Sequence, residues 1–301
     1  MDDLTPRLRA VCDLHVAEVR EGSGRHEYDG QVQDLSRAGV RAGLAALDDA
    51  VRADPPLADA HDEAQLTAFA DAARVAFGDL ELHRRNPAVH LGNLDLACYD
   101  RDYAPAAQRD QARREHLAAW PQAIEAALDA LDQVAAPVAD SLGAAIRGLA
   151  AGIPADADAG VRTAALDAHT RLVTRMEQAA DSGDPDAALG GAALSALMGT
   201  ADALPVDLGR LSERADAERD RLTERLADSC ARIDPGRPAL EVARELVRDH
   251  PDTDGVIEAA RLWTTRAMDF TREHDLVPYP DGECLVGPAP ESRRWGTRSA
   301  A

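Results

Sequence analysis

The residues that could do chemistry come first. A metal-hydrolysing helix carries His-Glu-x-x-His, which sets two imidazoles on one face with a carboxylate beside them. The stretch "GRHEYDG" begins with His26 and Glu27 but has Gly30 where the second His would fall. It also sits in a break marked by Gly22, Gly24 and Gly30, so no metal site is expected there. His15 and Glu18 stand one helical turn apart, but no third or fourth ligand accompanies them. They read as a pair on an amphipathic face. His83 and His90 flank "RRNPAV" and read as turn structure. His274 follows Glu273 at a helix end, where an imidazolium suits the dipole.

Nucleophilic chemistry fares no better. There is no G-x-S-x-G elbow. Ser141, Ser195 and Ser229 lie inside helical patterns with no partner His within reach by sequence. Cys284 falls outside the helical patterns but has no base near it in sequence. The basic side chains are all Arg, so a P-loop lysine is impossible; lysine codons are A-rich, and a high-GC genome accounts for the bias. "LGGAALSALMG" reads as a helix cap and close packing, not as a phosphate cradle. No catalytic residue, no metal ligand and no cofactor is assigned to this chain.

The elements that would have to position any site are helices. The chain has 301 residues, 3% aromatics and a net charge of −21. Its core must come from Leu, Ala and Val, which suits helix. The acidity disfavours nucleic acid and anionic membranes as partners. Cys12, Cys98, Cys230 and Cys284 are far apart and are expected to be free thiols. The N-terminus is acidic, not basic-then-apolar, and no apolar run reaches the roughly 18–20 residues of a span. The expectation is a cytoplasmic chain.

Apolar spacing predicts an all-α fold, a multi-helix bundle of about ten helices with one short extended segment near the C-terminus at Cys284–Gly287. Thr5 and Pro6 start a helix running to Glu21, and Ser36 caps the next. A helix over 58–84 should turn Leu66, Phe69, Ala73, Ala76, Phe77 and Leu80 inward. A short helix is expected within 86–105. Pro121 is read as the start of a helix separate from the one over 105–119. Further helices follow from Pro137 and over 158–180, 186–199, 207–232, 238–249 and 253–274. On the long helix from 207, Leu208, Leu211, Ala215, Leu222 and Leu226 form a stripe opposite a charged face. Residues 1–295 read as a single helical domain with a soft division near 150–160, and 296–301 as a disordered tail.

Three stretches together resemble a known family: "GRHEYDGQVQDLS" (24–36), "NPAVHLGNLDLACYDRDYAP" (86–105) and "FTREHDLVPYPDGECLVGPAPESRRW" (270–295). In order and spacing they look like the N-terminal half of the bacterial domain-of-unknown-function 885 family, whose members resemble zinc metallopeptidases. The resemblance covers nearly the whole chain. Family members are longer and largely helical, and their His-Glu-x-x-His helix lies beyond the segment matched here by Pro288–Glu291. In such enzymes two His and a downstream Glu hold zinc, and the motif Glu activates water. None of those positions exists in this sequence, so no catalytic residue carries over and zinc is expected only in full-length relatives.

The resemblance thus implies the N-terminal helical half of a metallopeptidase-like protein, truncated before the zinc motif and inactive alone. Its expected partner is a missing C-terminal half, or a second copy bound through an exposed apolar face. The alternative expectation is a non-catalytic helical binding or scaffold module. Polar or aromatic residues on irregular parts of the matched stretches are the candidate groove-lining groups: His26, Tyr28, Tyr103 and Arg294.

Overall fold

The structure, a computed structural model, describes residues 4–278, 282 and 284–297. It is all-α: the described residues form thirteen α-helices and short 3-10 or π turns, with no strand. None of these helices is long and apolar enough to cross a membrane. The chain divides into two compact units, one reaching to Asp207 and resuming at Pro290, the other Leu208–Ala289. The stretch 150–160, expected as a soft division, lies inside the first unit.

The first unit begins with α1 (Pro6–Asp13) and α2 (Val16–Gly22). The Thr5 hydroxyl accepts from the Leu8 N–H, and Pro6 occupies the first turn. A continuous helix was expected to Glu21, but the chain breaks at Leu14–His15. Leu14 is buried against Gly43, and its carbonyl, freed from the helix, accepts from Gln33 Nε2 at 3.0 Å. Ser36 caps α3 (Arg37–Ala53), and Asp59 caps α4 (Ala60–Ala73), as local polar signals demand. Helix α4 widens into a π turn over Arg74–Asp79 and ends at Glu81, whose φ is +46°. Leu66, Ala73 and Phe77 face inward as expected, while Phe69 stays 42% exposed. Arg7, itself buried, grips Glu63 through two hydrogen bonds of 3.0 and 2.9 Å and ties α1 to α4.

Asn86 and Pro87 start α6 (Pro87–Leu94), after the single turn α5 (Leu82–Arg85). Helix α7 (Ala106–Ala130) runs straight through Pro121, where two helices were expected. Pro121 costs one backbone hydrogen bond. Leu117, Trp120, Ile124 and Ala127, all buried on one face across the proline, outweigh it. Helices α8 (Ala136–Gly148) and α9 (Ala159–Ser182) pack with α7 around the main core. A smaller core lies between α1, α3 and α4. Helix α10 (Gly191–Gly199) starts five residues later than the expected 186. Asp184 and Asp186 side chains capture the N–H groups of Asp186 and Ala188, and this local bonding competes with helix.

The second unit holds α11 (Leu208–Ile233), α12 (Ala239–Arg248) and α13 (Val256–Glu273), close to the expected spans. Its amphipathic stripes are largely uncovered. Leu211, Leu222 and Leu226 of the expected stripe are exposed, as are Leu262, Trp263 and Phe270 of α13. Cys230 and Val242 are its buried apolar side chains among the described residues. Glu283 lies outside the described residues. Cys284–Gly287 is irregular chain, its Val286 carbonyl accepting from Arg261 Nε at 3.0 Å.

The chain re-enters the first unit with a final 3-10 segment, Glu291–Thr297, which packs on α8 and on the turn Leu149–Gly152. Of the tail expected to be disordered, Gly296 and Thr297 complete this segment and 298–301 lie outside the described residues.

Candidate functional site

Parts of the three stretches that carried the family resemblance, of the third only its end from Pro290, meet at one place in the first unit. The 3-10 turn His26–Tyr28, the turn Ala97–Asp100 with the loop to Tyr103, and the segment from Pro290 converge around the C-terminal end of α2. Between them lies a cavity of about 130 Å³. Arg20, Glu21, His26, Asp29, Arg101 and Tyr103 line it, with Cys98 and Gly24.

Each side chain is held by an identifiable contact. The His26 ring stacks on Tyr103 with centroids 4.2 Å apart and planes 5° from parallel. The Tyr103 hydroxyl donates to Asp29 Oδ2 at 2.8 Å, and His26 Nδ1 stands 3.5 Å from the same oxygen. Burial and the Asp29 carboxylate both push the Tyr103 phenol up, so it stays a donor. Arg20 is 4% exposed; one of its nitrogens donates to the Gln31 carbonyl at 2.9 Å. Burial pushes the Cys98 thiol up to about 11, which leaves it a weak nucleophile at neutral pH.

Behind this wall, Arg293 forms a fork onto Glu21, with bonds of 2.9 and 2.8 Å, and reaches Asp95 with Nε at 2.6 Å. Arg101 donates to the same Glu21 at 2.6 Å. The hydrogen bond from Arg293 is the chief reason the Glu21 carboxyl sits below its ordinary value.

Beneath the cavity a buried relay fixes a neutral imidazole. The Gly30 N–H donates to the Tyr99 hydroxyl at 2.9 Å, that hydroxyl bonds His116 Nδ1 at 3.1 Å, and His116 Nε2 bonds the Asn93 carbonyl at 2.8 Å. A carbonyl can only accept, so Nε2 carries the proton and Nδ1 accepts from Tyr99.

Of the four sequence candidates, His26 and Tyr103 come together in the cavity. Tyr28, one residue from Glu27, turns away: it is 3% exposed, packs with Cys12 and Val16, and donates to Asp13 at 2.7 Å. It pins the loop. Arg294 is exposed on the final 3-10 segment and does not line the cavity; its neighbour Arg293 makes the fork onto Glu21. The residues missed by sequence reasoning are Arg20, Glu21, Asp29, Arg101 and Arg293. Asp29 lay within a matched stretch. Nothing in the sequence pairs Glu21 with a residue 272 positions away.

The donor set does not fit a zinc centre. Asp59, His61 and Asp62 are the one group of three possible ligands that comes together among the described residues. All three are exposed, and Asp59 is already engaged in capping α4. His83, His90, His116 and His169 are buried, but no three of them gather among the described residues; the last three each bond a backbone carbonyl, His90 that of His83. The cavity therefore offers positioned donors and acceptors without an activated nucleophile, which suits binding.

No protein-family model and no curated protein matches the sequence. Among solved structures, a candidate lipoprotein of unknown function from Shewanella oneidensis shares the fold, with a TM-score of 0.60 at 13% identity. The match takes in 91% of this chain and 57% of that one, so this chain spans little more than half the length of its structural neighbour. At that identity the likeness concerns the fold alone.

Proposed function

We propose that this chain is the N-terminal helical half of a metallopeptidase-like protein of the domain-of-unknown-function 885 type, without hydrolytic chemistry of its own. It supplies helical walls to a substrate groove that a further portion completes. One observation carries this reading: the apolar faces of α11, α12 and α13 lack cover. Leu222, Val247 and Trp263, one on each helix, are 48, 74 and 64% exposed, and such faces mark surfaces made to be buried. The length of the structural neighbour supports it too, since a fold of this kind exists with a further portion that this chain does not match. The partner is that portion, on the same or another chain; without it, a second copy takes its place through the same faces.

The test is the association state of the purified chain. The expected result is concentration-dependent self-association and binding of an apolar dye, both reduced by a Trp263→Glu, Phe270→Glu double variant. A chain that stays monomeric at high micromolar concentration and binds no dye overturns the reading. So does stoichiometric zinc in the purified protein, or peptidase activity that survives chelation.

A second reading, a complete helical binding module, is favoured by the packing of the first unit. That unit buries its own clusters, and the Arg293 fork fastens its final segment. A cooperatively melting monomer would select this reading.

A further inference from the structure

We propose that the cavity beside the His26–Tyr103 stack binds a small ligand bearing an α-ammonium group next to a carbonyl or carboxylate, as in a free amino acid or a peptide N-terminus.

Size sets the class. About 130 Å³ is the liquid volume of roughly four waters, the scale of one amino-acid backbone. Charge narrows it further. Both signs line the wall: Arg20 and Arg101 on one side of the balance, Asp29 on the other, with Glu21 held by the Arg293 fork and by one nitrogen of Arg101. A bare anion would face Asp29, and a bare cation would face two guanidinium groups. A group with a donor and an acceptor on adjacent atoms meets both.

Two orphaned atoms point the same way. Arg20 Nε is a buried donor with no partner, and Asp29 Oδ1 is a buried acceptor with no partner. Buried polar groups are seldom left so; both atoms lie behind the present wall, without contact to solvent, and the ligand reaches them only once a wall member moves aside. The ligand ammonium answers Asp29, and its carbonyl oxygen answers Arg20 and Arg101. His26 is the wall member that yields on entry. Its side chain is 43% exposed, and its loop is flanked by Gly24 (φ +61°) and Gly30 (φ +76°), a conformation that favours glycine. The uncovered Tyr103 ring then gives the α-substituent a flat apolar surface.

The site lies entirely within residues 20–103, so it stands whether or not the second unit has a partner. The experiment titrates the whole chain with L-alanine, L-alanyl-L-alanine, N-acetyl-L-alanine and propionate, followed by calorimetry and by the His26 ring signals in NMR. Alanine or the dipeptide should bind at least about tenfold more tightly than the N-acetyl and desamino probes, the scale of one charge-assisted hydrogen bond. Preference between the first two separates free amino acid from peptide terminus. Asp29→Asn should weaken binding by a similar factor, while Tyr103→Phe, which keeps the stack, should change it only a few-fold. If no probe binds at millimolar concentration, or if the N-acetyl probe binds as well as its parent, the proposal fails. Unchanged binding by a folded Asp29→Asn variant also overturns it. Should that variant not fold, the probe series on the native chain decides alone.

Discussion

Trp120 and Trp263 both sit on amphipathic helices, and only one of them is covered. Trp120 on α7 is 0% exposed amid Leu117, Ile124 and Leu172. Trp263 on α13 is 64% exposed, with the Arg266 guanidinium 5.0 Å from its ring centroid. The same contrast runs through the two units. In the first, stripes on α7, α8 and α9 close on one another. In the second, three helices with equally clear stripes bury Cys230 and Val242 and little else among the described residues. An apolar stripe specifies that a face must be covered; it does not specify by what. A helix held mainly by its own propensity is marginal in water, so the second unit depends on burial beyond what its own three helices give one another.

The largest test of this contrast exchanges each tryptophan for alanine. Trp120→Ala should cost about 3–5 kcal/mol of unfolding free energy, from lost transfer energy plus a cavity. Trp263→Ala should change stability by less than about 0.5 kcal/mol while lowering self-association. Urea midpoints and light scattering on the two variants decide it. A large stability loss in Trp263→Ala would mean that the second unit has a core of its own.

The next effect belongs to acid. Burial, the largest cause, holds His90 down to about 4 and His116 down to about 3, against an ordinary value of 6.5. Both are neutral in the folded chain. Below pH 6.5 the unfolded chain takes up protons that the folded chain does not, so stability falls as pH drops from 6.5 towards those values. Each site contributes up to about tenfold per pH unit in the folding equilibrium. The loss should appear first in amide exchange of α6 and α7. His116→Gln should flatten the slope, and a native chain equally stable at pH 7 and pH 5 would refute the account.

The difference between the units also explains what could be read in advance. Caps at Thr5 and Ser36 and the spans of α11 to α13 follow from local signals, which a sequence carries in full. The break at Leu14 does not, because it depends on Gln33 and Gly43 arriving from elsewhere. Pro121 was misleading for the same reason: propensity argues for a helix start, and tertiary burial overrules it. In the cavity, His26 and Tyr103 were legible as polar or aromatic groups on irregular chain. Their stacking, and the three-way meeting of Glu21, Asp95 and Arg293, are tertiary facts.

Arg293 offers a smaller and more local test. Arg293→Ala should cost about 1–3 kcal/mol, since it leaves Glu21 and Asp95 without a part-buried partner. The sign with pH is fixed. The Glu21 carboxyl lies below its ordinary 4.5 when folded, so the fork contributes fully above pH 4.5 and is lost as pH falls through the depressed value. Amide exchange in 290–297 should rise in the variant and, in the native chain, at low pH. An Arg293→Ala variant with unchanged exchange there would show that packing on α8 alone holds the segment.

The smallest effect is expected on the charged side of α11. Arg221 pairs with Glu218 one turn away, with side chains 54 and 50% exposed, and Arg219 pairs with Asp216 and Asp220. Solvent screens such pairs, and ordering two long side chains offsets most of their attraction. Arg221→Ala should leave both the denaturation midpoint and the association state unchanged. The apolar and charged faces of one helix then differ in kind, one an interface and one a solvated surface. A shift in association on Arg221→Ala would reverse that assignment and place the partner on the charged face, where salt would dissociate it.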